Sequence, residues 1–98
     1  MWLEKEILKN KKLGVILCDA GGTFHTISLL KEFKIKPNFY CEGPSLEILK
    51  LSKPKKSLKQ FISDNDLILT SNSWSSDIEL RAIKEAKNQR KKVFTILD

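Results

Sequence analysis

The chain is poor in the residues that usually announce a chemistry. It has one histidine, His25, and two cysteines, Cys18 and Cys41, with no CxxC or HxxxH spacing. No metal site is expected from so few and so scattered ligands. Both cysteines fall in expected strands, where a thiol serves as a small hydrophobe, and such usage suits a reducing compartment. Arginine occurs only at Arg81 and Arg90, and aromatics make up 8% of the residues. Bidentate reading of bases and aromatic stacking along a strand both need more, so no nucleic-acid partner is expected. No apolar run approaches the ~18–20 residues that cross a bilayer, which excludes a transmembrane helix. The first nine residues mix acids and bases without an apolar segment or a small-residue cleavage site. They do not read as a secretory signal, and the expected location is cytoplasmic.

What is present is lysine and short hydrophobic runs. The net charge of +6 comes from lysines grouped at 9–12, 31–36, 50–59 and 84–92, runs that ordinarily form solvated faces. A length of 98 residues with 41% hydrophobic content allows one small globular domain. Three nearly continuous apolar runs stand out: Gly14 to Cys18 leading into Asp19-Ala-Gly-Gly-Thr23, Asp66 to Leu69 leading into Thr70-Ser-Asn-Ser-Trp74, and Lys92 to Leu97 leading into Asp98. Such runs suit strands buried on both faces of a parallel sheet, and ligands of those sheets sit beyond the strands' carboxyl ends.

Between the runs the punctuation is helical. Trp2, Leu3, Ile7 and Leu8 can line a short leading helix. A helix capped by Thr23 is expected to run to about Phe33, with Ile27, Leu30 and Phe33 inward. Asn38 to Cys41 reads as a strand, and Pro44 fits the first position of a helix through Leu51. Ser57 to Ile62 forms a further turn of helix, and Ser76-Asp77-Ile78-Glu79 is a capping box before a helix that buries Ile78, Ala82, Ile83 and Ala86. The alternation implies a Rossmann-like or flavodoxin-like three-layer α/β unit: four parallel strands, right-handed crossovers and the first strand central.

Two polar clusters fall at the carboxyl edge of that sheet. Gly21 and Gly22 allow close backbone approach, and the first amides of the next helix attract an anion; a tight βα turn alone would also explain them. The cluster is neither the GxGxxG fingerprint nor a P-loop. Asn72, Ser73 and Trp74 can offer hydrogen bonds and a stacking face, whereas Ser76 is explained by helix capping. Glu42, at the end of the second strand, stands where α/β folds place an acid for a ribose. His25 fits a surface helix position, and Asp98 carries no assignable role.

Val15 to Gly22, Phe39 to Pro44, Asp66 to Trp74, the helix with Asp77, Glu79, Ala82 and Ala86, and Val93 to Asp98 together resemble the N-terminal part of bacterial surface-polysaccharide biosynthesis proteins with a two-Rossmann-domain, glycosyltransferase-like architecture. The resemblance covers most of the chain with loose motifs. It implies a single domain, residues 1–98, that is a truncated N-terminal fragment of a larger two-domain protein, and it carries over no catalytic residue. A shorter stretch, Asp19-Ala-Gly-Gly-Thr23, is similar to the DxDGT nucleophile loop of the haloacid dehalogenase superfamily, with Thr70 or Ser71 in place of its second motif. Gly21 there replaces the second acid, so Mg²⁺-dependent phosphatase chemistry would lack its general acid.

The expectation is therefore a nucleotide- or sugar-nucleotide-binding domain that is catalytically incomplete alone. Asp19, Gly21, Gly22, Thr23 and Glu42 would contact the ligand, with Asn72, Ser73 and Trp74 on the opposite wall. No cofactor is implied. A degenerate phosphatase with Asp19 as nucleophile and a non-catalytic domain that pairs with itself or with a missing second half are the alternatives.

Overall fold

The computed structural model describes residues 12–32, 36–71 and 77–96. It is an α/β unit in which β1 (Leu13–Leu17), β2 (Asn38–Cys41), β3 (Leu67–Ser71) and β4 (Lys92–Ile96) form one sheet of order β2-β1-β3-β4. All three pairings are parallel. The order is that of the flavodoxin type, with β1 paired on both edges. The expected leading helix lies outside the described residues.

Every residue of β1 and of β3 is buried. Their apolar runs have no polar alternation because both faces are covered. On one face Leu13, Val15, Leu17, Leu67 and Leu69 pack with Leu30 and Ile27 of α1 (Ala20–Glu32) and Leu46 of α2 (Pro44–Ile48). On the other, Ile16 and Ile68 meet Phe61 and Ile62 of α3 (Leu58–Ser63), together with Ile78, Ala82 and Ala86 of α4 (Ile78–Asn88). Fully burying one such aliphatic side chain contributes about 1.5–3 kcal/mol. The β1-α1-β2 and β3-α4-β4 units step in opposite directions across the sheet and carry their helices on opposite faces, as crossovers of one hand require.

Several boundaries differ from the sequence expectation. Helix α1 begins at Ala20, so the glycine pair lies inside its first turn. Helix α2 ends at Ile48 because Lys50 adopts a left-handed φ of 55°. Leu51 N–H then reaches back to Leu46 O at 2.9 Å and Lys50 N–H to Glu47 O at 3.2 Å. Helix α4 closes the same way, with Arg90 at φ 59° and Lys91 N–H on Ala86 O at 2.8 Å. Both are Schellman closures with a basic residue where glycine is usual. In α3, Ser57 accepts from Gln60 N–H at 3.1 Å as its N-cap. Ile83 is only half-buried on α4. Among the described residues no helix is long and apolar enough to cross a membrane.

Gly14 is a point of close approach between β1 and the α3 layer. A Cβ there would lie 2.8 Å from Phe61 Cε2 and 2.9 Å from Asn65 Cγ. Gly14→Ala is therefore expected to lower stability by about 1–3 kcal/mol through overpacking, read as a reduced urea midpoint with an unchanged slope; an unchanged midpoint would contradict this packing.

Candidate functional site

The carboxyl ends of β1 and β3 lie side by side, and from them the chain departs into helices on opposite faces of the sheet. This is the topological switch point, where such sheets open a crevice. Asp19, between β1 and α1, is half-buried. Its Oδ1 is buried and has no hydrogen-bond partner among the described residues. A buried acceptor without a donor is uncommon, because leaving one unmet costs roughly 1–3 kcal/mol.

Gly22 sets how closely α1 approaches the end of β3. A Cβ on Gly22 would fall inside van der Waals contact with Ser71 Oγ and 2.7 Å from Asp19 Oδ1. Only the missing side chain lets the first turn of α1 settle onto the end of β3. Ser71 Oγ, buried there, donates to Glu79 Oε1 at 2.6 Å. Glu79 is 4% exposed, so a carboxylate from the first turn of α4 is drawn over the same rim.

The expected site residues divide. Gly21 is exposed, and a Cβ there would meet nothing closer than Asp19 Oδ2 at 3.9 Å, so the backbone at Gly21 is open to a ligand. Thr23 is not part of an accessible wall. It is fully buried, with its N–H and its Oγ1 on the Asp19 carbonyl at 3.1 and 2.7 Å. Thr23 ties the helix start to the strand end. Glu42 stands at the carboxyl end of β2, its N–H on Leu17 O at 3.1 Å. Its carboxylate faces Arg81 of α4 at 3.5 Å. Both partners are about half exposed, so the pair itself stabilises little and leaves both groups able to meet a ligand. Asn72, Ser73, Trp74, Ser76 and Asp98 lie outside the described residues, and His25 is exposed on α1.

The structure adds Ser71, Glu79 and Arg81 to the rim. Ser71 carried a signal as the polar end of an apolar run. Glu79, expected to close a capping box with Ser76, neighbours the buried Ile78. Asp77 marks the N-cap position of α4 without a side-chain bond.

Beneath the rim, Ser45 locks β1 to β2. It is fully buried, its N–H donates to Cys18 O at 2.8 Å, and its hydroxyl lies 3.0 Å from Leu17 O and 2.7 Å from Glu42 O. Burial pushes the Cys41 thiol up from its ordinary value, against a lowering hydrogen bond from Ser45, with Cys18 adding a smaller upward push. A thiol so held is poorly nucleophilic, which fits a packing role. Cys18 and Cys41 belong to opposite faces of the sheet. Among the described residues no three His, Cys, Asp or Glu side chains converge as a metal site.

The chain matches no family model, no curated protein and no solved structure.

The Ser71–Glu79 bond gives the rim a direct test. Ser71→Ala removes a donor from a buried carboxylate and is expected to cost about 1–3 kcal/mol in urea denaturation; a loss well below that range would show that the carboxylate is not held by Ser71.

Proposed function

We propose that the crevice beyond β1 and β3 binds a nucleotide or sugar nucleotide, the ligand class implied by the resemblance to surface-polysaccharide biosynthesis proteins. The observation that carries the reading is the buried Asp19 Oδ1 at the switch point, which has no hydrogen-bond partner among the described residues. A carboxylate oxygen in that position calls for a donor, and the hydroxyls of a ribose or hexose are donors of suitable size. The exposed backbone at Gly21 lets a ligand approach the first turn of α1 closely. Arg81 is shared between Glu42 and Asp77 at 3.5 Å each, and its loose, exposed pair with Glu42 can open for a ligand phosphate while Glu42 takes a sugar hydroxyl.

Binding, and not turnover, is the function proposed. Phosphatase chemistry on Asp19 would need a general acid, and Gly21 offers no side chain for it. Neutral hydroxyl donors also suit Asp19 better than a phosphate placed directly on it, because two anions would then compete for the same helix N-terminus.

The test is titration of the protein with UDP- and CDP-glucose, followed by the fluorescence of its two tryptophans and by calorimetry. Saturable binding is expected, weakened roughly tenfold or more by Asp19→Ala, the equivalent of about 1.4 kcal/mol. No heat and no fluorescence change at millimolar ligand, or equal affinity in the variant, would overturn the reading. Turnover of a phosphomonoester abolished by Asp19→Asn would replace it with the phosphatase alternative.

A further inference from the structure

A cleft lies towards the other end of the sheet, with no lining residue in common with Asp19, Gly21, Gly22 or Ser71. It has a volume of about 730 Å³ and opens between β2, the end of α3 and the segment that precedes α3. That volume is within the ~300–1,000 Å³ usual for small-molecule sites. Lys12 enters just before β1, Asn38 is the first residue of β2, and Asn65 immediately follows α3 and its cap. These positions mark the amino-terminal edge of the sheet, away from Asp19.

Charge and shape together narrow what the cleft can take. Three lysines, Lys12, Lys55 and Lys56, line it against one carboxylate, Asp64. Lys56 is already engaged, at 2.6 Å from Asp64 Oδ2. That contact, with the Gln60 amide, holds the Asp64 carboxyl below its ordinary range. Neither the Lys12 nor the Lys55 ammonium forms an ion pair among the described residues, but Asp66 Oδ2 accepts from the Lys12 backbone N–H at 2.9 Å, so three lysines face two nearby carboxylates and the excess is one positive charge. A phosphate monoester carries nearly two negative charges at neutral pH.

The wall behind those lysines is fixed. Asn65 is 1% exposed; its Nδ2 donates to Phe61 O at 2.8 Å and its Oδ1 accepts from Asn38 Nδ2 at 3.0 Å. Gly14 makes room for this arrangement, since a Cβ there would strike both Phe61 and Asn65. The Asn38 carboxamide oxygen remains an acceptor without a partner among the described residues. Tyr40 and Phe61 contribute a tilted aromatic pair, ring centroids 5.4 Å apart at 55°, and Pro54 adds a flat apolar surface. Phe61 is only 6% exposed and backs the half-buried Tyr40, so Tyr40 and Pro54 are the surfaces on which a planar ring can rest, at a contribution of roughly 1–3 kcal/mol for a stacked base.

We infer that this cleft is a second binding site, for a phosphate monoester of a small ring-bearing molecule, with Lys12 and Lys55 on the phosphate and Tyr40 beside the ring. A nucleoside monophosphate has both parts, and AMP serves as the probe.

The experiment is an amide-resolved NMR titration of the full chain with AMP, adenosine and inorganic phosphate. AMP is expected to shift Tyr40, Lys55 and Asn65 and to bind at least tenfold tighter than adenosine or phosphate alone. The Lys12→Ala/Lys55→Ala double variant, which leaves the Lys56–Asp64 pair in place, is expected to weaken AMP at least tenfold without moving the urea midpoint. AMP binding no tighter than phosphate, shifts confined to residues 19–23 and 71, or undiminished affinity in the double variant would each overturn the inference. Failure of sugar-nucleotide binding at Asp19 leaves these readouts untouched, so the two sites stand or fall separately.

Discussion

A hydrogen atom at Gly22 occupies the place where any other residue would drive a methyl group into Ser71 Oγ and to within 2.7 Å of Asp19 Oδ1. Because that space is free, the first turn of α1 can sit on the carboxyl end of β3, and much else at the rim follows. Ser71 is buried and reaches Glu79; Glu79 is drawn over the sheet; Asp19 is left with one oxygen enclosed and without a partner among the described residues. Glycine in a helix ordinarily costs about 0.5–1 kcal/mol relative to alanine. Here the close helix–strand contact overrides that preference.

The two glycines that touch the sheet work at opposite ends of it. Gly14 admits Phe61 and Asn65 against β1 near the amino-terminal edge, and Gly22 admits the α1 turn at the carboxyl edge. Each contact arranges polar groups as well as packing. At one end the Asn65 carboxamide bridges Asn38 and the Phe61 carbonyl; at the other a serine hydroxyl holds a carboxylate. The ends differ in charge: the carboxyl edge gathers Asp19, Glu42 and Glu79 with Arg81, while the amino edge sets Lys12, Lys55 and Lys56 against Asp64 and Asp66.

Much of the scaffold was legible in the sequence because its signals are local. Unbroken apolar runs named β1 and β3, their carboxyl-end polar residues named the rim, and Pro44 marked the start of α2. The helix limits were harder. A Gly-Gly pair reads as a turn, yet packing draws it into α1, and Lys50 and Arg90 end helices in a conformation that sequence logic reserves for glycine. Thr23 was expected on the ligand wall and is instead consumed by the Asp19 carbonyl, since a hydroxyl at that position can satisfy the strand end as readily as a ligand. Ser71 was legible as the polar end of an apolar run, whereas Glu79 and Arg81 were not read as site residues because their roles come from β3, α4 and β2 meeting in space. The Asn38–Asn65 bridge is hidden for the same reason, with 27 residues between its partners.

The central claim, that α1 descends onto β3 over Gly22, is most directly tested by nuclear Overhauser contacts between Gly22 Hα and the Ser71 β protons. Strong cross-peaks are predicted. Their absence, in a folded sample whose β1–β3 pairing is otherwise evident, would contradict the crevice and the enclosed Asp19 oxygen together.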